Sequence, residues 1–243
     1  MRPPPGIDMP NGGVSYLDGI LFCAQGTATS GIGGMYYMPR GALKLMVTNW
    51  HGRDFNSVND VVVSKNGCIW FTDPCYGNEQ DFRQRPKLPC LSYRFDPKTG
   101  ELRVVADGFR RCNGICFDVK EMVCYITDTD QIHGDGTNLF RPATVYVFDI
   151  ITRAGAPFLA NSWRVFAYAA VGFPDGIKCD LQGNLWGRSQ GLESGRTLIG
   201  RIIVPSGVAN FCFGKDSEMF LCAEQKLWRL QMEKTTKGAL LSI

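Results

Sequence analysis

Short apolar runs separated by polar, glycine-containing turns recur along the whole chain, as in Val61-Val-Val-Ser-Lys-Asn-Gly-Cys-Ile-Trp-Phe71 and Ile177-Lys-Cys-Asp-Leu-Gln-Gly-Asn-Leu-Trp186. Runs of this length around a tight turn predict β-hairpins. No long stretch carries the 3.6-residue period of a helix. Further strands are predicted at 91–96 and 102–106, around the Pro97-Lys-Thr-Gly100 turn, and at 144–149, 163–168 and 198–204.

The hairpins are copies of one phrase. They run Asn11 to Phe22, Asn59 to Trp70, Asn113 to Tyr125, Asp175 to Trp186 and Asn210 to Phe220, each opening on Asn or Asp and closing on an aromatic residue. The opening and closing residues lie 11, 11, 12, 11 and 10 positions apart, and successive copies start 48, 54, 62 and 35 residues apart. Four strands per unit at this period is the signature of a β-propeller blade, because one such sheet cannot bury both faces alone. A β-sandwich would give no reason for the hairpins to share an opening residue. The expected fold is therefore an all-β propeller forming a single domain over residues 1–243. At about 45 residues per blade the chain makes five to six blades. Only ten residues precede Asn11, so a ring of six is expected to be incomplete at its first blade.

In a propeller the innermost strands line the central channel, so residues opening equivalent copies are expected to converge there. Asn59, Asn113 and Asp175 are the principal members, with Asn11 and Asn210 as weaker ones. Amide and carboxylate oxygens without His or Cys suit a hard cation, Ca²⁺ ahead of Mg²⁺. In a single copy an Asn or Asp before a strand is simply a turn residue bonding its own backbone; the register of three favours the cation.

Other chemistry is sparse. The chain has two histidines, His51 and His133, both in polar loops; His133 is kept as a reserve catalytic candidate. There is no His-Glu-x-x-His helix, no Gly-x-Ser-x-Gly elbow and no phosphate-binding Gly-x-x-x-x-Gly-Lys loop. Asp73 and Asp128, each after an aromatic or aliphatic residue and a threonine, are read as caps of the turn that follows them. Arg53, Arg83 and Arg85 are given no role.

Composition narrows the class further. The chain is 44% hydrophobic and 20% charged, as a packed soluble protein is. Its formal charge is +3, from 26 basic and 23 acidic residues that are scattered, which argues against nucleic acid or an anionic membrane as partner. No apolar run approaches the ~20 residues of a membrane span, and the opening Met1-Arg-Pro-Pro-Pro5 does not read as a secretory leader. Ten cysteines occur, none in a Cys-x-x-Cys pair and most inside apolar runs. They are read as reduced core residues, which places the protein in the cytoplasm.

Several phrases together resemble one family. Phe55-Asn-Ser-Val-Asn-Asp-Val-Val-Val63, Ile69-Trp-Phe-Thr-Asp-Pro-Cys-Tyr-Gly77, Tyr93-Arg-Phe-Asp-Pro-Lys-Thr-Gly100, Cys112-Asn-Gly-Ile115, Tyr125-Ile-Thr-Asp-Thr129, Pro174-Asp-Gly-Ile-Lys178 and Gly183-Asn-Leu-Trp186 look like the gluconolactonase and senescence-marker (regucalcin-like) family, in its fungal lactonase branch. The resemblance runs from about Asn11 to Trp228. It implies a six-bladed propeller with a divalent metal in its channel, most readily Ca²⁺ with Zn²⁺ or Mg²⁺ as alternatives, and hydrolysis of a small-molecule lactone. Carried over by position, the metal ligands fall on Asn113 and Asp175, and a further channel asparagine, ligand or substrate contact, on Asn59.

The same resemblance marks departures. The family's N-terminal Glu-Gly-Pro phrase has no counterpart, so the chain is expected to be shortened at that end. Cys112 stands where a proline is usual, and Ser57 where some members have an arginine. The expected chemistry is metal-assisted opening of the lactone, with Asp175 orienting or deprotonating the water. The alternative is a shortened propeller, catalytically weak or inactive, serving as a binding module or representing a fragment.

Overall fold

A computed structural model describes residues 7–29, 32–39, 42–160, 163–169, 172–187, 192–194 and 197–239. The opening stretch Met1 to Pro5, and with it part of the expected incomplete first blade, lies outside the described residues. Two compact units are distinguished: one comprises 1–113 with 132–138, the other 114–131 with 139–243.

The first unit holds two antiparallel four-stranded sheets. One is the meander β1 (Pro10–Tyr16), β2 (Gly19–Ala24), β3 (Gly34–Met38) and β4 (Lys44–Val47). A small hairpin, β5 (Asn49–Trp50) with β6 (Arg53–Asp54), follows. The second sheet orders β7 (Val61–Val63), β8 (Ile69–Asp73), β9 (Leu91–Phe95) and β10 (Leu102–Ala106) consecutively, with a single turn of helix, α1 (Tyr76–Glu79), between β8 and β9. Strands this short expose too little apolar surface to stand alone. They bury it in one core that includes Leu21, Met35, Val61, Ile69, Phe71 and Tyr93. Phe55, Phe71 and Tyr93 form its centre, with ring centroids 5.1 to 5.3 Å apart.

The second unit takes most of β11 (Cys112–Phe117), paired to β12 (Val123–Asp128). Between them and the next strand the hairpin β13 (Ile132–His133) and β14 (Gly136–Thr137) belongs to the first unit. The ten-residue β15 (Thr144–Arg153) pairs β12 and carries both β16 (Ala156–Leu159) and β17 (Arg164–Tyr168). Smaller hairpins follow: β18 (Ile177–Cys179) with β19 (Leu185–Gly187), and β20 (Leu192–Ser194) with β21 (Thr197–Gly200). The three-stranded β22 (Asn210–Phe213), β23 (Glu218–Ala223) and β24 (Lys226–Gln231) comes last. The strand expected at 198–204 stops at Gly200. All five phrases form the expected hairpins, in the pairs β1/β2, β7/β8, β11/β12, β18/β19 and β22/β23.

The phrase openings are fixed by two devices. The first is a buried threonine at the end of the hairpin's second strand. Thr72 Oγ1 donates to the Asn113 carbonyl at 2.5 Å and accepts from the Asp60 N–H at 3.2 Å, while its own carbonyl accepts from the Asn59 N–H at 2.9 Å. Thr127 repeats the pattern in the second unit, donating to the Asp175 carbonyl at 2.9 Å and accepting from the Gly114 N–H at 2.7 Å. The second device is a glycine directly after the opening residue. A Cβ on Gly12 would strike the Asn59 carbonyl, one on Gly114 the Asp175 carbonyl, and one on Gly176 the Asn210 side chain. At Gly12 and Gly114 backbone approaches backbone, and at Gly176 the Asn210 side chain closes in, approaches a Cβ would prevent.

Asp73 corrects the expectation that it caps the turn after it. Its carboxylate accepts from the N–H groups of Asn56 at 2.9 Å and Ser57 at 2.7 Å, so it ties down the chain entering Asn59 instead. The segment before β7 makes no ladder there, and its buried N–H groups need an acceptor.

Two predictions follow from these contacts. Thr72→Val keeps the shape and removes the hydroxyl, so unfolding free energy in urea should fall by roughly 1–3 kcal/mol; an unchanged midpoint would show that the Asn113 carbonyl does not depend on this donor. Burial pushes the Asp73 carboxyl up to about 7, against the pull of the Asn56 and Ser57 N–H groups and of Arg83. Because the folded value lies above the unfolded one, this group's contribution is complete below about pH 4 and is lost as pH rises through about 7. Between about pH 5 and 8 the wild type should therefore lose more stability than Asp73→Asn does. Equal slopes in the two proteins would refute a raised Asp73.

Candidate functional site

Asn113 sits near the start of β11, 6% exposed. Its carbonyl is occupied by Thr72, and its Nδ2 donates to Tyr76 Oη at 3.0 Å. With the amide NH₂ turned to the phenol, Oδ1 is the atom left to meet a ligand. Tyr76 is itself held: the Arg111 guanidinium lies 5.7 Å from its ring centroid, within cation–π reach. Arg111 is buried, pairs with Glu79, donates to the Ile132 carbonyl at 2.6 Å and meets His133 Nδ1. His133 is thus engaged with a buried arginine and lies in β13, where a polar loop was expected. His51 is exposed, with its ring 4.9 Å from that of Trp50.

Asn59 is 5% exposed and belongs to the same unit as Asn113. Its N–H and carbonyl are both used by the backbone, through Thr72 at 2.9 Å and Gly12 at 2.8 Å. Its side-chain amide makes no hydrogen bond among the described residues. A buried amide in that state is what an added ligand would satisfy. The structure brings Asn59 and Asn113 together through Thr72. Asp175 lies in the second unit, half-buried, with its carbonyl fixed by Thr127 and with Thr129 Oγ1 donating to the preceding Pro174 carbonyl at 2.5 Å.

The two weaker members lie within strands, Asn11 in β1 and Asn210 at the start of β22. Asn11 is exposed, and Asn210 turns its Oδ1 to the N–H of Phe211 at 2.8 Å. Sequence reasoning missed Tyr76, Arg111 and Glu79 as partners of the Asn113 environment. Tyr76 stood in the quoted Pro-Cys-Tyr-Gly phrase, but nothing in its spacing linked it to a residue 37 positions away. Arg83, given no role beforehand, donates to the carbonyls of Phe55 at 2.7 Å and Asn56 at 3.1 Å, bracing the same entry to Asn59.

Among the described residues no three His, Cys, Asp or Glu side chains lie together as a metal site. A cation held here would rest largely on amide oxygens. The uncommitted amide of Asn59 and the oriented Oδ1 of Asn113 are neutral, hard donors of the kind Ca²⁺ accepts, and soft ligands are missing from the set. The residues fit a hard divalent cation by donor chemistry.

Comparison with known proteins agrees with the fold. The chain is 29% identical over 198 residues to lactonohydrolase oryL of Aspergillus oryzae, a match covering 71% of this chain and 44% of that protein. It spans about half the length of the curated relatives it matches. Among solved structures, a gluconolactonase from Xanthomonas campestris superimposes with a TM-score of 0.77 at 27% identity, over 92% of this chain and 72% of that one. A calcium-binding protein, regucalcin, from Agrobacterium tumefaciens gives 0.69 at 17% identity, over 95% and 78%. The fold class is thus the all-β propeller. A description of the SMP-30/Gluconolactonase/LRE-like region matches residues 15–225, nearly the whole span of the recurring phrases, and the chain belongs to that family.

Proposed function

We propose that this protein is a lactonase, hydrolysing a small-molecule lactone with a divalent cation, Ca²⁺ first, bound by Asn59, Asn113 and Asp175. The observation that carries the reading is family membership across residues 15–225, with relatives named for lactone hydrolysis. A calcium-binding neighbour of the same fold supports the metal. No described helix is long and apolar enough to cross a membrane. We read the chain as one cytoplasmic domain over 1–243.

When bound, the cation supplies a Lewis acid for the lactone carbonyl and positive charge for the oxyanion. The chain's own part is positioning and proton transfer. Asn113, held by Tyr76, presents a neutral oxygen whose direction is set before any ligand arrives. Asn59 contributes a second amide, as ligand or as hydrogen-bond donor to the substrate. An Asp175 carboxylate oxygen orients the attacking water and takes its proton, a role commonly worth about 10²- to 10⁴-fold.

The second reading, a weakly catalytic or inactive propeller, draws on the same donor set. Asp175 is the single carboxylate among the three positions, so one negative charge would face two positive ones.

Calorimetric titration of chelator-treated protein with Ca²⁺ separates the two. The lactonase reading expects binding in the wild type, its loss in Asp175→Ala and lactone turnover that disappears with it. A folded wild type that takes up no Ca²⁺ would favour the inactive propeller. Tyr76→Phe removes the acceptor that turns Asn113, and its Ca²⁺ affinity should drop roughly 3- to 10-fold. Unchanged affinity in that variant would remove Asn113 from the ligand set.

A further inference from the structure

The cysteines are free thiols, most of them buried. Two are placed for chemistry. Cys75 Sγ and Cys90 Sγ lie 3.5 Å apart, and a disulfide needs about 2.05 Å between them, a closure that side-chain rotation with a small backbone adjustment can supply. Cys75 is half-buried and so open to a small reagent, whereas Cys90 is buried behind it.

The segment between them is anchored at both ends. Next to Cys75, the Gly77 N–H donates to Ser57 Oγ at 2.8 Å; next to Cys90, the Leu88 and Pro89 carbonyls accept from Asn56 Nδ2 at 3.0 and 3.2 Å. The two sulfurs are therefore held near each other by the fold. The segment carries α1, with Tyr76 and Glu79, and then runs through Arg83, Arg85 and Lys87.

We propose that Cys75 and Cys90 form a reversible disulfide with a low-molecular-weight disulfide such as glutathione disulfide as oxidant, and that this bond clamps the 76–89 segment. The Cys75 thiolate attacks one sulfur of glutathione disulfide, forming a mixed disulfide and releasing one glutathione thiolate. Cys90 then loses its proton and attacks the Cys75 sulfur, releasing the second glutathione. In sum two protein thiols are oxidised, one glutathione disulfide is reduced to two thiols, and the two cysteine protons end on them.

The order of attack follows the surroundings. The hydrogen bond with Cys90, helped by Arg111, holds the Cys75 thiol below its usual value against burial, Asp73 and Glu79. The same bond and deeper burial keep Cys90 protonated. A bond of this kind in a reducing compartment is transient and responds to the thiol poise. The inference stands whether or not the protein opens lactones.

The test treats the folded wild-type protein with glutathione disulfide, blocks remaining thiols and digests it with trypsin without reductant. The expected product is peptide 66–83 joined to peptide 88–94, lighter than the sum by two hydrogens and separated by dithiothreitol. Peptide 66–83 also contains Cys68, so the link should persist in Cys68→Ser and vanish in both Cys75→Ser and Cys90→Ser. Fragmentation of the wild-type cross-linked peptide gives the same assignment if a variant fails to fold. A glutathione adduct that stays on Cys75 without the internal link would overturn the proposal. Amide hydrogen exchange over 76–89 should slow several-fold on oxidation; equal rates in the two states would overturn the clamp.

Discussion

Everything near the candidate site depends on satisfying backbone carbonyls that strand pairing leaves open. Asn59, Asn113 and Asp175 lie at or just before the start of a short strand, where the ladder has barely begun, and burying a carbonyl there without a donor is costly. Thr72 and Thr127 provide the donors for Asn113 and Asp175. Because each hydroxyl comes from the hairpin before, the Asn113 and Asp175 openings are fixed by their predecessors, and Gly12, Gly114 and Gly176 supply clearance where they occur. The threonine bond recurs in two successive hairpins, those of Asn59 and Asn113. The conformation of an opening residue follows from the hairpin that precedes it and owes little to its own side chain.

This separation explains what could be read from the sequence. Hairpin positions and the shared opening residue were legible because turn chemistry and strand length act within a dozen residues. The Phe71-Thr-Asp73 and Ile126-Thr-Asp128 phrases were visible as text, but the direction of their bonds was not. Asp73 reaches 16 and 17 residues back along the chain, to Ser57 and Asn56, where local turn reasoning looks forward. Arg111 and His133 meet across 22 residues, and no periodicity announces such a contact. The strand expected to reach Val204 ended at Gly200: the apolar Ile-Ile-Val run gave the pattern of a strand, while β21 pairs only along the short β20.

The choice of residue at the openings also has a physical logic. Two buried carboxylates close together would resist ionisation, since like charges raise each other's pKa. Asn59 and Asn113, being neutral, can be buried at 5% and 6% exposure without a counter-charge. The fold can therefore form before any cation is present, and the cost is weaker attraction for that cation. Asp175, the charged member, is the half-buried one, where water can share the burden of its charge.

Three ionisable groups of the first unit, Asp73, Arg83 and Arg111, show what the backbone demands. The Asp73 carboxyl accepts two N–H groups that have no ladder partner, and Arg83 donates to two carbonyls of the same segment, so acid and base are spent on opposite sides of one chain. Arg111 does likewise for the Ile132 carbonyl while backing Tyr76. These ionisable groups support backbone and aromatic partners first. Asn113 gains a fixed direction from that support, since the Tyr76 hydroxyl that accepts its amide belongs to a ring backed by the Arg111 guanidinium. A side chain oriented in this way pays little conformational entropy on meeting a ligand, so a neutral amide can contribute affinity out of proportion to its charge.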